Sequence, residues 1–243
     1  MSHPQIVEAI ESEFVPVVVY NNQKGKDEET LKEFGEPAWN FQVIRFLTES
    51  GADVIPRRDR IWTVAGVAAR MVEALEKVNR EVPTYLKALA GSAAVDKEGV
   101  AAFAMFCFWT GEQKLGGLEG VLTTEAGWLE GREVTWVSFD RAHLSFGALV
   151  DAAAEFECAQ KVYTNNSADA ERVAQSRLSV GDLTDEYRAA RVSDQKRQLT
   201  GTLYQKMNLS PVQATKLNAL IRTDVKAALK WLSPHQREQL KQS

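Results

Sequence analysis

The chain is poor in cysteine and histidine. Among 243 residues there are two cysteines, Cys107 and Cys158, and three histidines, at positions 3, 143 and 235. Two thiols exclude a disulfide-dense scaffold, and so few soft or imidazole ligands, scattered along the chain, leave no zinc-site spacing and no metal to predict. There is no cationic excess either: 29 Lys and Arg stand against 33 Asp and Glu, a net charge of −4. That balance argues against non-specific nucleic-acid binding, which needs basic residues to neutralise phosphates. No apolar run approaches the ~20 residues that span a bilayer. The first residues, M-S-H-P-Q-I-V-E-A-I-E, lack the basic and apolar segments of a secretory signal. Together these point to a cytoplasmic protein with reduced thiols, without membrane or nucleic-acid partners. Repeats and low-complexity segments are also missing.

What is present is 44% hydrophobic and 26% charged, the balance of a globular protein able to bury a sizeable core. Periodicity and punctuation divide it into three regions, 1–90, 98–166 and 167–243. In the first, a short helix from Pro4 leads to F-V-P-V-V-V-Y, read as a buried strand. After a polar connection, Q-V-I-R-F-L and the turn E-S-G-A-D predict a hairpin. T-V-A-G-V-A-A-R-M-V-E-A-L-E has the apolar spacing of an amphipathic helix. Residues 79–92 read as a partly helical linker.

The second region predicts the order strand, helix, strand, strand, helix, strand. Val100 to Phe108 is a continuous apolar run, as in strands buried on both faces. Glu112 to Leu118 is a short helix. Val121–Trp128 and Glu133–Phe139 alternate like paired strands, Ser145 is an N-cap for F-G-A-L-V-D-A-A-A-E, and Lys161–Thr164 is the last strand. That order is the split β-α-β arrangement of ferredoxin-like folds, so the expected class is α/β. The third region predicts a helical tail, with Ser210-Pro211 and Ser233-Pro234 each pairing an N-cap with a proline suited to the first helical turn.

Cys107 stands where this predicted strand gives way to a helix. Inside A-F-A-M-F-C-F-W a cysteine behaves as a small hydrophobe. At a helix N-terminus, however, unpaired N–H groups and the dipole favour a thiolate. Glu112, five residues on, is placed to hold or relay a proton.

These residues also carry a resemblance. C-F-W-x-x-E, Cys107 to Glu112, resembles the G-C-F-W-G-x-E signature of peptide methionine sulfoxide reductase A. L-x-G-V-x-x-T-x-x-G-W-x-x-G, from Leu118, and V-S-F-D-R-A-H-L-S-F-G-A-L-V-D, from Val137, are similar to two further segments of that family, and K-V-Y-T-N-N-S-A-D-A-E corresponds to a later strand. The likeness spans about residues 98–175. It implies Cys107 as nucleophile on the sulfoxide sulfur of methionine sulfoxide, free or in protein, with Phe108 and Trp109 as the pocket for the S-methyl group. Trp128 stands near that cleft in place of a family tyrosine. It also implies a sulfenic acid that a second thiol resolves, for which Cys158 is the candidate, and a thioredoxin-type reductant, with no cofactor. The chain departs from the family at Phe106 and Thr110, where glycines are usual. The acid-bearing G-H-x-E segment is missing, Gly131 running directly into R-E-V-T-W-V. Glu112, Glu130 and Glu133 are the carboxylates left to replace it.

The first region resembles the central and later part of a thioredoxin-like domain without its C-x-x-C, and a redox motif upstream of Met1 would complete it. A contrasting expectation is a non-catalytic module that binds redox partners. Pro56-Arg57-Arg58-Asp59-Arg60 reads as a solvated basic loop, the remaining tryptophans as core or interface anchors, and His143 as a surface residue.

Overall fold

The computed structural model describes residues 3–39, 42–91, 98–176 and 178–241. The chain forms two compact units, Met1–Ala93 and Ala94–Ser243. Among the described residues it is a mixed α/β protein with ten α-helices and one six-stranded sheet.

The first unit is helical. Helix α1, Pro4–Glu13, has proline in its first turn and buries Ile6 and Ala9. Helix α2, Lys26–Glu33, buries nothing. Helix α3, Val64–Lys77, starts where the Thr63 hydroxyl accepts the Gly66 N–H at 3.0 Å, and its apolar face carries Val67, Ala68, Met71 and Leu75 into the core. Helix α4, Thr84–Gly91, falls within the expected linker but adds Tyr85, Leu86 and Leu89 to the same cluster.

Two expectations for this unit are corrected. Phe14–Tyr20 is not a buried strand: it is irregular and unpaired, with Val15 91% and Val17 80% exposed. Pro16 removes a donor from the middle of the segment, and a strand needs neighbours to satisfy its backbone. The expected hairpin is reduced to two isolated antiparallel bridges, Ile44 to Arg58 and Leu47 to Asp53. Hence the described residues of this unit contain no sheet of the kind a thioredoxin-like domain is built around. In the basic loop Pro56, Arg58 and Arg60 are exposed, in keeping with a solvated loop, while Arg57 turns inward. Glu36 accepts from Arg57 at 2.6 and 2.7 Å and from Arg45 at 2.9 and 3.2 Å. Hydrogen bonds from Arg57, ahead of those from Arg45, hold its carboxyl down at about 2. Trp39 and Trp62, expected as anchors, are largely exposed.

The second unit follows the predicted order: β1 (Glu98–Ala104), α5 (Phe108–Gly116), β2 (Val121–Leu129), β3 (Arg132–Asp140), α6 (Phe146–Glu155) and β4 (Lys161–Tyr163). β3 lies between β1 and β2 and is antiparallel to both, while β4 pairs antiparallel with the other edge of β1. β1 is apolar from Val100 to Ala104 because both its faces are covered there. Ala101 and Phe103 join α5 and α6 residues in one cluster; Ala102 and Ala104 join Leu129, Val134, Tyr163 and Tyr187 in another. α6 starts at the expected cap, Ser145 accepting the Ala148 N–H at 3.2 Å.

Residues 167–243 are not purely helical. After α7 (Ser167–Ala174), β5 (Ser179–Gly181) extends the sheet parallel to β4, and β6 (Arg188–Ala189) pairs with β2 at the opposite edge. Three helices follow: α8 (Pro211–Leu220), α9 (Val225–Leu229) and α10 (Pro234–Lys241). Ser210 and Gln213 form a reciprocal capping box on α8, and Ser233 accepts the Gln236 N–H at 3.2 Å. α8 packs on α5: the buried Lys216 ammonium donates to Gly116 O at 2.9 Å and Leu118 O at 2.6 Å, satisfying carbonyls at the C-terminus of α5.

Candidate functional site

Helix α5 starts earlier than its sequence suggests, at Phe108, so that Cys107 itself is the N-cap residue. Its backbone is extended, φ −143° and ψ 110°, and its carbonyl accepts the N–H groups of Thr110 and Gly111 at 3.1 and 3.3 Å. The glycine at 111 lets this turn lie against the sheet. A β-carbon there would overlap Thr135 Oγ1 and Met105 Sδ, and Thr135 Oγ1 donates to Phe108 O at 3.1 Å. The helix N-terminus, and with it Cys107, is thus pinned to β1 and β3.

The β2–β3 hairpin brings the rest of the site. Its loop is only Glu130 and Gly131, with φ of 50° and 72°, a turn of the type that matches the twist of paired strands and favours glycine at its second position. The resulting register sets Trp128 directly opposite Glu133. Glu133 joins the end of β1 to the start of α5: its carbonyl accepts the Met105 N–H at 3.1 Å and its carboxylate accepts the Phe108 N–H at 2.9 Å. A carboxylate on the first amide of a helix completes an otherwise unpaired donor and meets the positive end of the dipole. The amide it holds is that of the residue after Cys107.

Phe108 packs against two further aromatic rings. It is buried, its ring centroid 5.7 Å from that of Trp109 and 5.6 Å from that of Trp128, the latter edge-on at 77°. Trp128 remains 37% exposed and lines an open cleft of about 420 Å³ with Glu130, Gly131, Asp185, Glu186 and Arg188. Phe106, where a glycine is usual in the resembled signature, is 91% exposed. The cleft at Trp128 is thus charged apart from the indole and Gly131, and the partly buried Cys107 precedes the aromatic cluster in the chain.

Glu112 does not join that group. Its side chain is fully buried; Lys196 forms an ion pair with one oxygen, and the Lys196 N–H donates to the other at 2.8 Å. Both oxygens are therefore taken by structure. Glu130 is likewise engaged, by Lys161 at 2.7 Å and the Tyr163 hydroxyl at 3.0 Å. The hydrogen bond from Lys161 lowers the Glu130 carboxyl, whereas burial, with that bond to Glu130, pushes the Tyr163 phenol up to about 12. His143 is exposed, its Nδ1 2.8 Å from Asp140 Oδ2.

Cys158 lies in the turn between α6 and β4, 1% exposed, its thiol donating to Phe156 O at 3.4 Å. Burial raises its pKa first of all, and Cys107 is among the charges that act on it. The β1–β4 ladder pairs Ala102 with Tyr163, Phe103 with Val162 and Ala104 with Lys161.

No family model matches this chain, and no curated protein does. Solved structures do. It is similar to Mxr1 from Saccharomyces cerevisiae in an unusual oxidised form, with 13% identity over 39% of this chain and 75% of that one, at a TM-score of 0.31. It is also similar to methionine sulfoxide reductase A of Corynebacterium diphtheriae, with 15% identity over 47% and 82% of the two chains and a TM-score of 0.36.

Among the described residues no three His, Cys, Asp or Glu side chains gather to hold a metal ion, and no helix is long and apolar enough to cross a membrane. Sequence reasoning named Glu133 only as one of three carboxylates. The two-residue turn was the signal that would have singled it out, because the turn fixes which residue faces Trp128. The contacts from residues 194–197 described below had no signal, being set by packing across more than eighty residues of chain.

Proposed function

We propose that this chain reduces methionine sulfoxide through Cys107, within a ferredoxin-like, reductase-like unit over residues 98–166. The observation that carries the reading is the Glu133 carboxylate on the amide of Phe108, the residue that follows Cys107, and across the hairpin from Trp128. A nucleophile, an acid and an apolar recess for a methyl group are the three parts the reaction needs, and the C-F-W resemblance names the same nucleophile and recess.

The chemistry follows from those parts. The Cys107 thiolate attacks the sulfoxide sulfur while Glu133, as general acid, delivers a proton to the oxygen; a positioned acid contributes ~10²–10⁴-fold. Phe108, Trp109 and Trp128 receive the S-methyl group on packed aromatic surfaces. Collapse of the adduct releases methionine and leaves Cys107 as a sulfenic acid. The Cys158 thiol then attacks that sulfur, forming the Cys107–Cys158 disulfide and expelling water. A thioredoxin-type dithiol in the cytoplasm returns both thiols and is itself oxidised to a disulfide. No cofactor is required. In this reading Glu112 has a structural part in place of the proton relay expected from its spacing.

The test is reduction of free and peptide-bound methionine sulfoxide with dithiothreitol as reductant. Wild type turns over and Cys107→Ser does not; absence of turnover by wild type on both substrates would overturn the reading.

A further inference from the structure

Residues 194–197 lie beyond the part of the chain that resembles the reductase, yet they reach Trp109. The Trp109 indole N–H donates to the Asp194 carbonyl at 2.9 Å, and the Arg197 guanidinium lies 5.0 Å from the centre of the Trp109 ring. One edge and one face of the indole are therefore occupied. The segment between these contacts is fastened at both ends of its short span. The Gln195 amide takes both backbone groups of Ala126 on β2, accepting from its N–H at 2.9 Å and donating to its carbonyl at 2.7 Å. Lys196, in the left-handed backbone region at φ 49°, pairs with the buried Glu112 and donates to Thr124 O at 2.5 Å.

We propose that residues 194–197 form a positioning strap that fixes the indole of Trp109 in the methyl recess, with the Glu112–Lys196 pair as its fastening. This rests on the reading of Trp109 as a wall of the site. Glu112 is the fifth residue of α5 and Trp109 the second, so one short helix presents the indole and the anchor that holds its clamp. A side chain on the first turn of a helix is otherwise free to change rotamer, and a recess for a single methyl group tolerates little displacement. Cation–π contact also commits one ring face to Arg197 and leaves the other for substrate.

Two readouts test this. The first is independent of turnover: hydrogen exchange of the Trp109 indole N–H, its signal assigned by Trp109→Phe. The strap predicts slow exchange in wild type and at least about tenfold faster exchange once Glu112→Leu/Lys196→Met removes both charges together, a swap that buried pairs tolerate in fold. The second uses the exposed Arg197, whose replacement leaves folding intact. Arg197→Ala raises KM for the sulfoxide about threefold with kcat within about twofold, and Arg197→Lys, which keeps the cation over the ring, restores it. An indole N–H that exchanges equally in wild type and the double variant, or an Arg197→Ala effect confined to kcat, overturns the strap. If the double variant does not fold, the Arg197 series decides alone. If wild type has no turnover, the reductase reading falls and the exchange experiment still decides the strap.

Discussion

Replacing Glu133 by Gln separates the acid from the cap. The amide keeps the shape of the carboxylate and an oxygen able to accept the Phe108 N–H now held at 2.9 Å. What the fold loses is the charge: the charge-assisted part of one hydrogen bond and the interaction with the start of α5, together about 1 kcal/mol. For a chain of this size that lowers Tm by roughly 2–4 °C, too little to unfold a protein of ordinary stability. What the reaction loses is the proton for the sulfoxide oxygen, and kcat falls by ~10²–10⁴-fold. The assay pairs sulfoxide turnover under dithiothreitol with the alkylation rate of Cys107 by iodoacetamide. Alkylation does not slow, because removing a neighbouring negative charge does not disfavour a thiolate. Turnover retained above about a tenth of wild type, with the fold intact, would refute the assignment of Glu133 as the acid.

Gly111→Ala drives a methyl group into Thr135 Oγ1 and Met105 Sδ; it destabilises by about 3 kcal/mol in denaturant titration, with Cys107 displaced in consequence, and a change below about 1 kcal/mol would contradict the pinning of α5. Cys158→Ser retains one round of sulfoxide reduction but loses steady-state turnover with a thioredoxin-type reductant, and the serine left in its buried turn costs about 1–3 kcal/mol; steady-state turnover equal to wild type would remove Cys158 from the cycle. Lys216 gives a pH signature. Burial lowers its folded pKa to about 8 from an ordinary 10.5. Between those values the unfolded chain keeps a proton the folded chain has released, so this group's contribution to stability rises with pH; below about 8 both states are protonated and the folded state carries the full cost of the buried ammonium. Wild-type unfolding free energy minus that of Lys216→Met therefore increases by up to about 3 kcal/mol from pH 7 to pH 10.5, and a flat difference would contradict it.

The second unit was legible because its elements announce themselves locally. A continuous apolar β1, an alternating β2–β3 hairpin and the Ser145 cap each specify their structure within ten residues, and the observed order matches the predicted one. The first unit was misread at Phe14–Tyr20 because valine-rich sequence signals a strand only where a partner exists, and none pairs with it here among the described residues. The site was half legible. Cys107, Phe108 and Trp109 are consecutive, so one helix start delivers all three. Glu133 reaches them only through a register that depends on Gly131. Glu112 was assigned from spacing to proton chemistry, while Lys196, eighty-four residues away, takes its carboxylate in the fold. The strands β5 and β6, of three and two residues, are too short to carry a period of their own and form only by adding to an existing sheet.

The central claim is that Cys107 reduces a sulfoxide and Cys158 resolves it. Its most direct test is a single turnover without reductant: fully reduced protein is mixed with excess methionine sulfoxide, and released methionine and remaining thiols are counted together. The account predicts about one methionine per chain and the loss of both thiols, with Cys107 and Cys158 joined in one peptide after digestion. Methionine absent, with both thiols still titratable, would contradict it.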